Sequence, residues 1–160
     1  MAFLDDAENN LAVLDFFRAR KAEGATVVFD LNVRAESYGY EGERKQSMEK
    51  MIAMSDILLG SGNEEFCQVT GSGRIREAAS SLLSGGAGMV IARDGGNPIL
   101  LLGNNLDMTV PVKPVIPFST LGAGDCFDAM FLNSIASGKD IPAAVKSASD
   151  YAGEYISVGK

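Results

Sequence analysis

A chain of 160 residues with 46% hydrophobic residues is long enough for one domain with a substantial core. Its formal net charge of −7 and the absence of any basic run of about five or more residues argue against a nucleic-acid surface. The sequence contains no histidine, which excludes Ser-His-Asp and Cys-His catalysis and histidine-ligated metal sites. The two cysteines, Cys67 and Cys126, form neither a zinc motif nor a disulfide framework. No signal peptide or membrane span is visible, so we expect a cytoplasmic protein with no membrane partner.

Segments with helical and strand periodicity alternate along the chain. Apolar residues recur at helical spacing over 1–22, 44–54, 72–84 and 141–155, and a short acidic helix starts at residue 63. Apolar and β-branched runs predict strands over 25–30, 56–59, 88–92, 98–102 and 110–116. The turn signal at 93–97 joins the third and fourth of these strands into a hairpin. This alternation predicts an α/β fold with a mostly parallel sheet covered by helices on both faces.

A polar cluster follows the first predicted strand. Asp30, Asn32 and Arg34 occupy alternate positions and share one face if the chain stays extended. Polar residues just past the carboxyl end of a parallel strand lie where α/β proteins bind ligands. The same residues could equally cap and close a loop, and the sequence leaves both interpretations open.

The helix predicted to start at residue 63 opens with an acidic group. Asn63, Glu64 and Glu65 follow the second predicted strand and its Gly60-Ser61-Gly62 turn. Carboxylates in this position could support a metal ion, or could simply complement the positive end of the helix dipole. Both interpretations remain open at this stage.

The most informative stretch is a strand-to-helix turn at Gly122-Ala123-Gly124, followed by Asp125. Glycines allow a tight turn and a close approach of ligand, and the N–H groups of a helix N-terminus bind anions. A carboxylate there would repel phosphate, but it could accept a proton from a hydroxyl that attacks the phosphate. The stretch is neither a dinucleotide fingerprint, because Phe127 occupies the third glycine position, nor a P-loop, because no Gly-Lys-Ser/Thr follows. Ordinary turn and cap chemistry is the alternative.

The longer stretch 119–129 resembles the C-terminal signature of the PfkB/ribokinase family of carbohydrate kinases, Asp-Thr-x-Gly-Ala-Gly-Asp-x-Phe. Ser119 stands where that family usually has Asp, and Met130 stands where a small residue is usual. The resemblance implies ATP and Mg²⁺ as cofactors and a sugar or sugar acid as the small-molecule substrate. It also implies the following roles: catalytic base, Asp125; anion hole, Gly122, Ala123 and Gly124; nucleotide side, Thr120, Gly95, Ala148 and Ala152; substrate side, Asp30, Asn32 and Arg34; metal side, Glu65.

Two further features bear on the family assignment. Ala92 and Asp94 stand where the family has Thr and Gly beside the nucleotide, and the added carboxylate would weaken ATP binding by like-charge repulsion. Family members are about twice as long as this chain, and their N-terminal half supplies much of the sugar site and a small lid sheet. The resemblance therefore implies one α/β domain over 1–160, a three-layer ribokinase-like fold that lacks the N-terminal half and the lid.

Two functions follow from this resemblance. One is ATP-dependent phosphorylation of a sugar or sugar-acid hydroxyl; the Asp30, Asn32 and Arg34 group leans towards a keto sugar acid. The alternative is a non-catalytic truncated module that keeps the fold and binds nucleotide or a partner chain. In either case a second copy or a partner chain could cover the open side of a half-sized sheet.

Overall fold

The structure is a computed structural model that describes residues 7–33 and 39–157. Within these ranges, no helix is both long and apolar enough to cross a membrane. The helices are α1 (Ala7–Ala22), α2 (Gly42–Met54), α3 (Cys67–Thr70), α4 (Ile75–Ser84), α5 (Ala123–Ala136) and α6 (Ile141–Ser157), and a π-helical turn, Gly62–Phe66, leads directly into α3. The strands are β1 (Val28–Asp30), β2 (Ile57–Ser61), β3 (Met89–Asp94), β4 (Asn97–Gly103) and β5 (Leu106–Val110).

The five strands form one mixed sheet in the order β1-β2-β3-β4-β5. Strands β1, β2 and β3 pair in parallel, because helical crossovers connect them. Strands β3, β4 and β5 pair antiparallel through short hairpins. In the second hairpin Asn104 and Asn105 have φ of 50° and 63°, as tight primed turns require. The half of the sheet from β1 to β3 is thus parallel, and the half from β3 to β5 is antiparallel.

Alternating side chains of the strands build two cores, one on each face of the sheet. Leu58, Val90 and Leu100 pack with α2 and α4, and their neighbours Leu59 and Ile91 pack with α5 and α6. The helices contribute buried side chains to the two layers: Met48, Ile52, Ala78, Ala79 and Leu82 on one face, and Phe127, Phe131, Ala144, Val145 and Ala148 on the other. This arrangement confirms the predicted three-layer α/β fold.

Most predicted elements lie within a few residues of the observed ones, and one strand is wrong. The run 110–116 was expected to be a strand, but the structure places β5 at Leu106–Val110 and leaves 111–120 without regular structure. The pair at Asn104 and Asn105 starts β5 earlier, because it turns the chain straight back after β4. The predicted helix over 1–22 is observed from Ala7, and residues 1–6 lie outside the described residues.

Gly60, near the end of β2, leaves room for two side chains of the π-helical turn that follows the strand. A Cβ atom at Gly60 would lie 2.5 Å from Cε1 of Phe66 and 3.0 Å from Oε2 of Glu65. Phe66 is completely buried and cannot move into solvent. We expect Gly60→Ala to lower the free energy of unfolding by about 1–3 kcal/mol, the usual cost of overpacking a core.

Urea unfolding followed by circular dichroism checks this expectation. Gly73→Ala is the matched control, because a Cβ atom there would have no neighbour within 4 Å. An unchanged midpoint for Gly60→Ala would contradict the tight packing described above.

Candidate functional site

The glycine turn opens α5 with free backbone donors. Gly122 adopts φ +82° at the position before the helix and makes no side-chain cap. The Ala123 N–H donates to the Thr120 carbonyl at 3.1 Å, and the Cys126 N–H to the Gly122 carbonyl at 3.0 Å. Among the described residues, the N–H groups of Gly124 and Asp125 have no acceptor. Two donors at the positive end of a helix are therefore available for an anion, and the Ala123 amide, which was assigned to the same anion hole, is already engaged.

The segment before the turn is held by local hydrogen bonds and by α6. The Ser119 hydroxyl accepts a hydrogen bond from the Leu121 N–H at 3.3 Å. The Phe118 N–H donates to the Ile156 carbonyl at 2.7 Å. A serine at 119 therefore still supports the turn where the family signature has Asp. Thr120 and Asp125 are both exposed, so the carboxylate of Asp125 can reach a bound molecule.

Arg93, at the end of β3, ties the turn to the rest of the sheet. Its Nη2 donates to Oδ2 of Asp30 at 3.0 Å, and its Nη1 donates to Oδ1 of Asp128 at 2.9 Å and to the Gly124 carbonyl at 3.2 Å. The guanidinium carbon also lies 5.2 Å from the centre of the Phe127 ring. Only 17% of the Arg93 side chain is exposed, so these contacts are poorly screened by solvent.

The carboxyl groups of Asp30 and Asp128 lie close enough to share a hydrogen bond. Burial raises the pKa of Asp128 to about 8, and the hydrogen bond and negative charge of Asp30 act in the same direction, against the opposing effect of Arg93. The charge of Asp125 adds a smaller increase. At neutral pH the pair therefore retains a proton, which lowers the negative charge beneath the glycine turn.

Glu65 joins the two strand ends that border the site. Its Oε1 accepts the Val33 N–H at 2.8 Å, and its Oε2 accepts the Ser61 N–H at 2.7 Å. Burial raises the pKa of Glu65 despite these two hydrogen bonds. Among the described residues, no cluster of three or more acidic or thiol groups has the arrangement of a metal site. In this structure Glu65 therefore fixes two backbone segments, and its predicted role towards Mg²⁺ stays a prediction.

The polar group after β1 is not an extended row. Asn32 has φ 37°, and its N–H donates to Oδ1 of Asp30 at 3.2 Å. The flanking Leu31 and Val33 are completely buried, which leaves Asn32 exposed between them. Asp30 points to Arg93 instead of remaining free for a ligand. Arg34, predicted on the substrate side, lies outside the described residues.

Asp94, the carboxylate expected to disturb nucleotide binding, is engaged by two amides. Asn63 donates to its Oδ1 at 2.7 Å, and Asn97 to its Oδ2 at 3.0 Å. These bonds connect the start of the π-helical turn to the β3–β4 hairpin, where Gly95 is exposed with φ 55°. The acidic group therefore organises the hairpin that the sequence placed beside the nucleotide.

An open cleft of about 220 Å³ lies between α6 and the segment that leads to the glycine turn. Ala148 and Ala152, predicted on the nucleotide side, are buried on the opposite face of α6, where they pack against the sheet. Their contact with a nucleotide stays a prediction, and the cleft presents other side chains. Its lining consists of Lys113, Val115, Lys146, Ser149, Asp150, Gly153 and Glu154.

Sequence reasoning missed Arg93 and Asp128. Asp128 lies one helical turn after Gly124, so its position beside the glycine turn was available from helical spacing. Arg93 was treated as part of a hairpin turn signal, although the structure has it in β3. Its partners are 31 to 63 residues away in sequence, and no local pattern connects them.

The described residues form an α/β fold with a glycine turn at the start of α5, and comparison with known proteins identifies the family. Residues 2–159 match the model of the pfkB family of carbohydrate kinases, and the chain belongs to that family. It is 28% identical over 124 residues to the aminoimidazole riboside kinase of Salmonella typhimurium, which covers 78% of this chain and 39% of that protein.

Solved structures show the same fold. The aminoimidazole riboside kinase of Salmonella enterica, complexed with aminoimidazole riboside and an ATP analog, superposes with a TM-score of 0.87 at 23% identity, covering 99% of this chain and 55% of that one. An E. coli protein described as a ribokinase II, in complex with ATP and Mg²⁺, superposes with a TM-score of 0.84 at 23% identity, and the match covers 98% of this chain and 50% of that one. The chain thus spans about half the length of the kinases it matches.

Proposed function

We propose that this chain is the nucleotide-side half of a carbohydrate kinase that transfers the γ-phosphoryl group of ATP to a hydroxyl of a sugar or sugar acid. The glycine turn carries the proposal: two free N–H groups at the start of the 14-residue α5 lie beside the exposed carboxylate of Asp125. Donors aimed at the phosphate and a base for the hydroxyl are what phosphoryl transfer needs from a protein. Family membership supports the same chemistry.

In this mechanism the chain contributes a proton acceptor and an anion site. Asp125 accepts the proton of the sugar hydroxyl. The hydroxyl oxygen bonds to the γ-phosphorus of ATP, while the bond from that phosphorus to the β-phosphate oxygen breaks and ADP leaves. The N–H groups of Gly124 and Asp125 donate to the oxygens of the transferred phosphate. Mg²⁺, when bound with ATP, neutralises phosphate charge, and Glu65 is the carboxylate we assign to that side.

The nucleoside of ATP is assigned to the cleft beside α6. The cleft adjoins the segment that runs into the glycine turn, and Thr120 lies on the path between them. Lys113 and Lys146 offer cationic groups there, and Lys146 is paired with Asp150. We assign the exposed hairpin at Gly95 to the other side of the nucleotide.

The acceptor is assigned to the end of β1, where Asn32 is exposed. Asp30 acts there through Arg93, and Arg34 is retained as a proposed anion partner on the strength of the sequence motif alone. This assignment supports a sugar or sugar acid as the substrate class. A cytoplasmic location belongs to the same proposal and is supported by two free cysteines.

A second candidate is a non-catalytic module that needs a partner chain or a second copy. Ile116, Phe118 and Leu121 are 91%, 73% and 84% exposed in the segment before the glycine turn. Contiguous apolar side chains of this size are typical of an interaction surface. The chain also spans only about half of the kinases it matches, so a module completed by another polypeptide is consistent with the fold.

Calorimetry with Mg-ATP tests the anion site. We expect Ala123→Glu to weaken binding at least tenfold, because it adds a negative charge to the first turn of α5. The same charge at a helix N-terminus favours the helix, so the fold should survive. Ala143→Glu places an identical change in the first turn of α6 and is the matched control.

Equal binding by the Ala123→Glu and Ala143→Glu variants would refute the anion site. A separate assay, sugar-dependent ADP release by the wild-type chain, distinguishes the kinase from the non-catalytic module. Release by the chain alone supports the kinase and excludes the non-catalytic module.

A further inference from the structure

Arg93 occupies the junction of three elements that surround the glycine turn. It extends from the end of β3, and its partners belong to β1 and α5: Asp30, Asp128 and the Gly124 carbonyl. A guanidinium group can make these bonds at once because its donors are arranged in a planar fork. The result is a single side chain that links two strand ends to the first turns of a helix.

The packing around Arg93 leaves little freedom. The side chains of Arg93, Asp30 and Asp128 are 17%, 24% and 19% exposed. The Phe127 ring, 3% exposed, lies 5.2 Å from the guanidinium carbon, and a Cβ atom at Gly124 would lie 3.4 Å from Nη1. This close packing distinguishes the group from the exposed ion pair between Arg76 of α4 and Asp107 of β5.

We propose that Arg93 is a positioning residue, held by Asp30 and Asp128, that fixes the backbone of the glycine turn so that the Gly124 and Asp125 N–H groups face a common anion. Because Gly122 makes no side-chain cap, Arg93 supplies a side-chain hydrogen bond to the backbone of the first helical turn, at the Gly124 carbonyl. The functional consequence rests on the proposed phosphate-binding role of the turn. The proposal that Arg93 fixes the backbone of the turn does not depend on that role.

The charges near Arg93 explain why the link needs Arg93, Asp30 and Asp128 together. Asp30 faces it from β1 and Asp128 from α5, with Asp125 one turn earlier and Glu65 near Asp30. Removing the guanidinium leaves the acidic groups of this site, with the proton that Asp30 and Asp128 share, without the positive charge of Arg93, and their net negative charge then acts on the phosphate. The turn should then lose both its tether and its electrostatic balance.

Hydrogen exchange measured by mass spectrometry tests the positioning directly. In the Arg93→Met variant we expect exchange over 122–128 to accelerate at least tenfold, with exchange in β4 unchanged. Arg93→Lys should restore part of the protection, because lysine keeps the charge but not the fork. Arg76→Met, which removes an exposed ion pair, is the matched control.

Mg-ATP calorimetry on the same variants separates the two proposals. Weaker binding by Arg93→Met, with partial recovery in Arg93→Lys, supports both the positioning role of Arg93 and the proposed function. Faster exchange in a protein whose wild type binds no nucleotide supports the positioning role and contradicts the proposed function. If Arg93→Met unfolds, the comparison is made on Arg93→Lys and on Arg93→Met with Asp128→Asn. Unchanged exchange over 122–128, or an equal increase in every segment of those variants, overturns the positioning role.

Discussion

Replacing Asp125 by asparagine should lower sugar-dependent ADP release by about 10²- to 10⁴-fold, the usual contribution of a general base. The amide keeps the size of the side chain but cannot accept the hydroxyl proton. Asp125 is exposed, so the fold should be retained. Mg-ATP affinity should stay equal or increase, because a negative charge beside the phosphate site is removed.

A coupled assay for ADP and calorimetry with Mg-ATP check the two parts of this prediction. Asp140→Asn is the control, because Asp140 lies before the first turn of α6 and accepts the Ala143 N–H at 2.8 Å, which asparagine can also do. Full turnover in Asp125→Asn would remove Asp125 from the mechanism. A large loss of Mg-ATP affinity would show that its main role is in binding.

The free energy of unfolding should fall as pH rises from 5 to 8. The folded-state pKa of Asp128 is raised to about 8, so the folded chain holds a proton that the unfolded chain releases above about pH 4. The stabilisation from this proton is complete below about pH 4, falls steadily while only the folded chain holds the proton, and is lost once pH has risen through the folded-state pKa of about 8. The decrease should be on the order of 1 kcal/mol per pH unit at most.

Neighbouring groups affect the same profile in known directions. The raised pKa of Glu65 gives a change of the same sign. The pKa of Asp56 is lowered by Lys21 and the Val27 N–H against the opposing effect of burial, so its stabilisation is lost only in more acidic solution. Comparison with an Asp128 variant isolates the contribution of Asp128 to the pH dependence of the free energy of unfolding.

Asp128→Asn should flatten the pH profile, because the amide resembles a protonated carboxyl group that keeps its contacts with Arg93 and Asp30. Urea unfolding by circular dichroism at several pH values measures this, since the chain has no tryptophan. Asp107→Asn, in an exposed ion pair, should keep the slope of the wild type. Identical slopes in all three proteins would contradict the shared proton.

The sequence by itself determined the class of fold and the place of the glycine turn. Both depend on local patterns: apolar periodicity for helices and strands, and glycines followed by an acidic residue at a helix start. The hairpin of β3 and β4 was predicted from its turn residues and is confirmed. The β5 strand was missed, because an Asn-Asn turn is a weaker signal than the apolar run after it.

Only the tertiary structure decided how the turn is held. Arg93 and Asp30 are 63 residues apart and meet because β1 and β3 end at the same edge of the sheet. The Ala123 amide is used by Thr120, and Ala148 is turned into the core, and neither outcome is visible in the motif. Local sequence fixes local geometry, but the partners of a buried charge are chosen by the packing of distant elements, and for that reason Arg93 was found only in the folded chain.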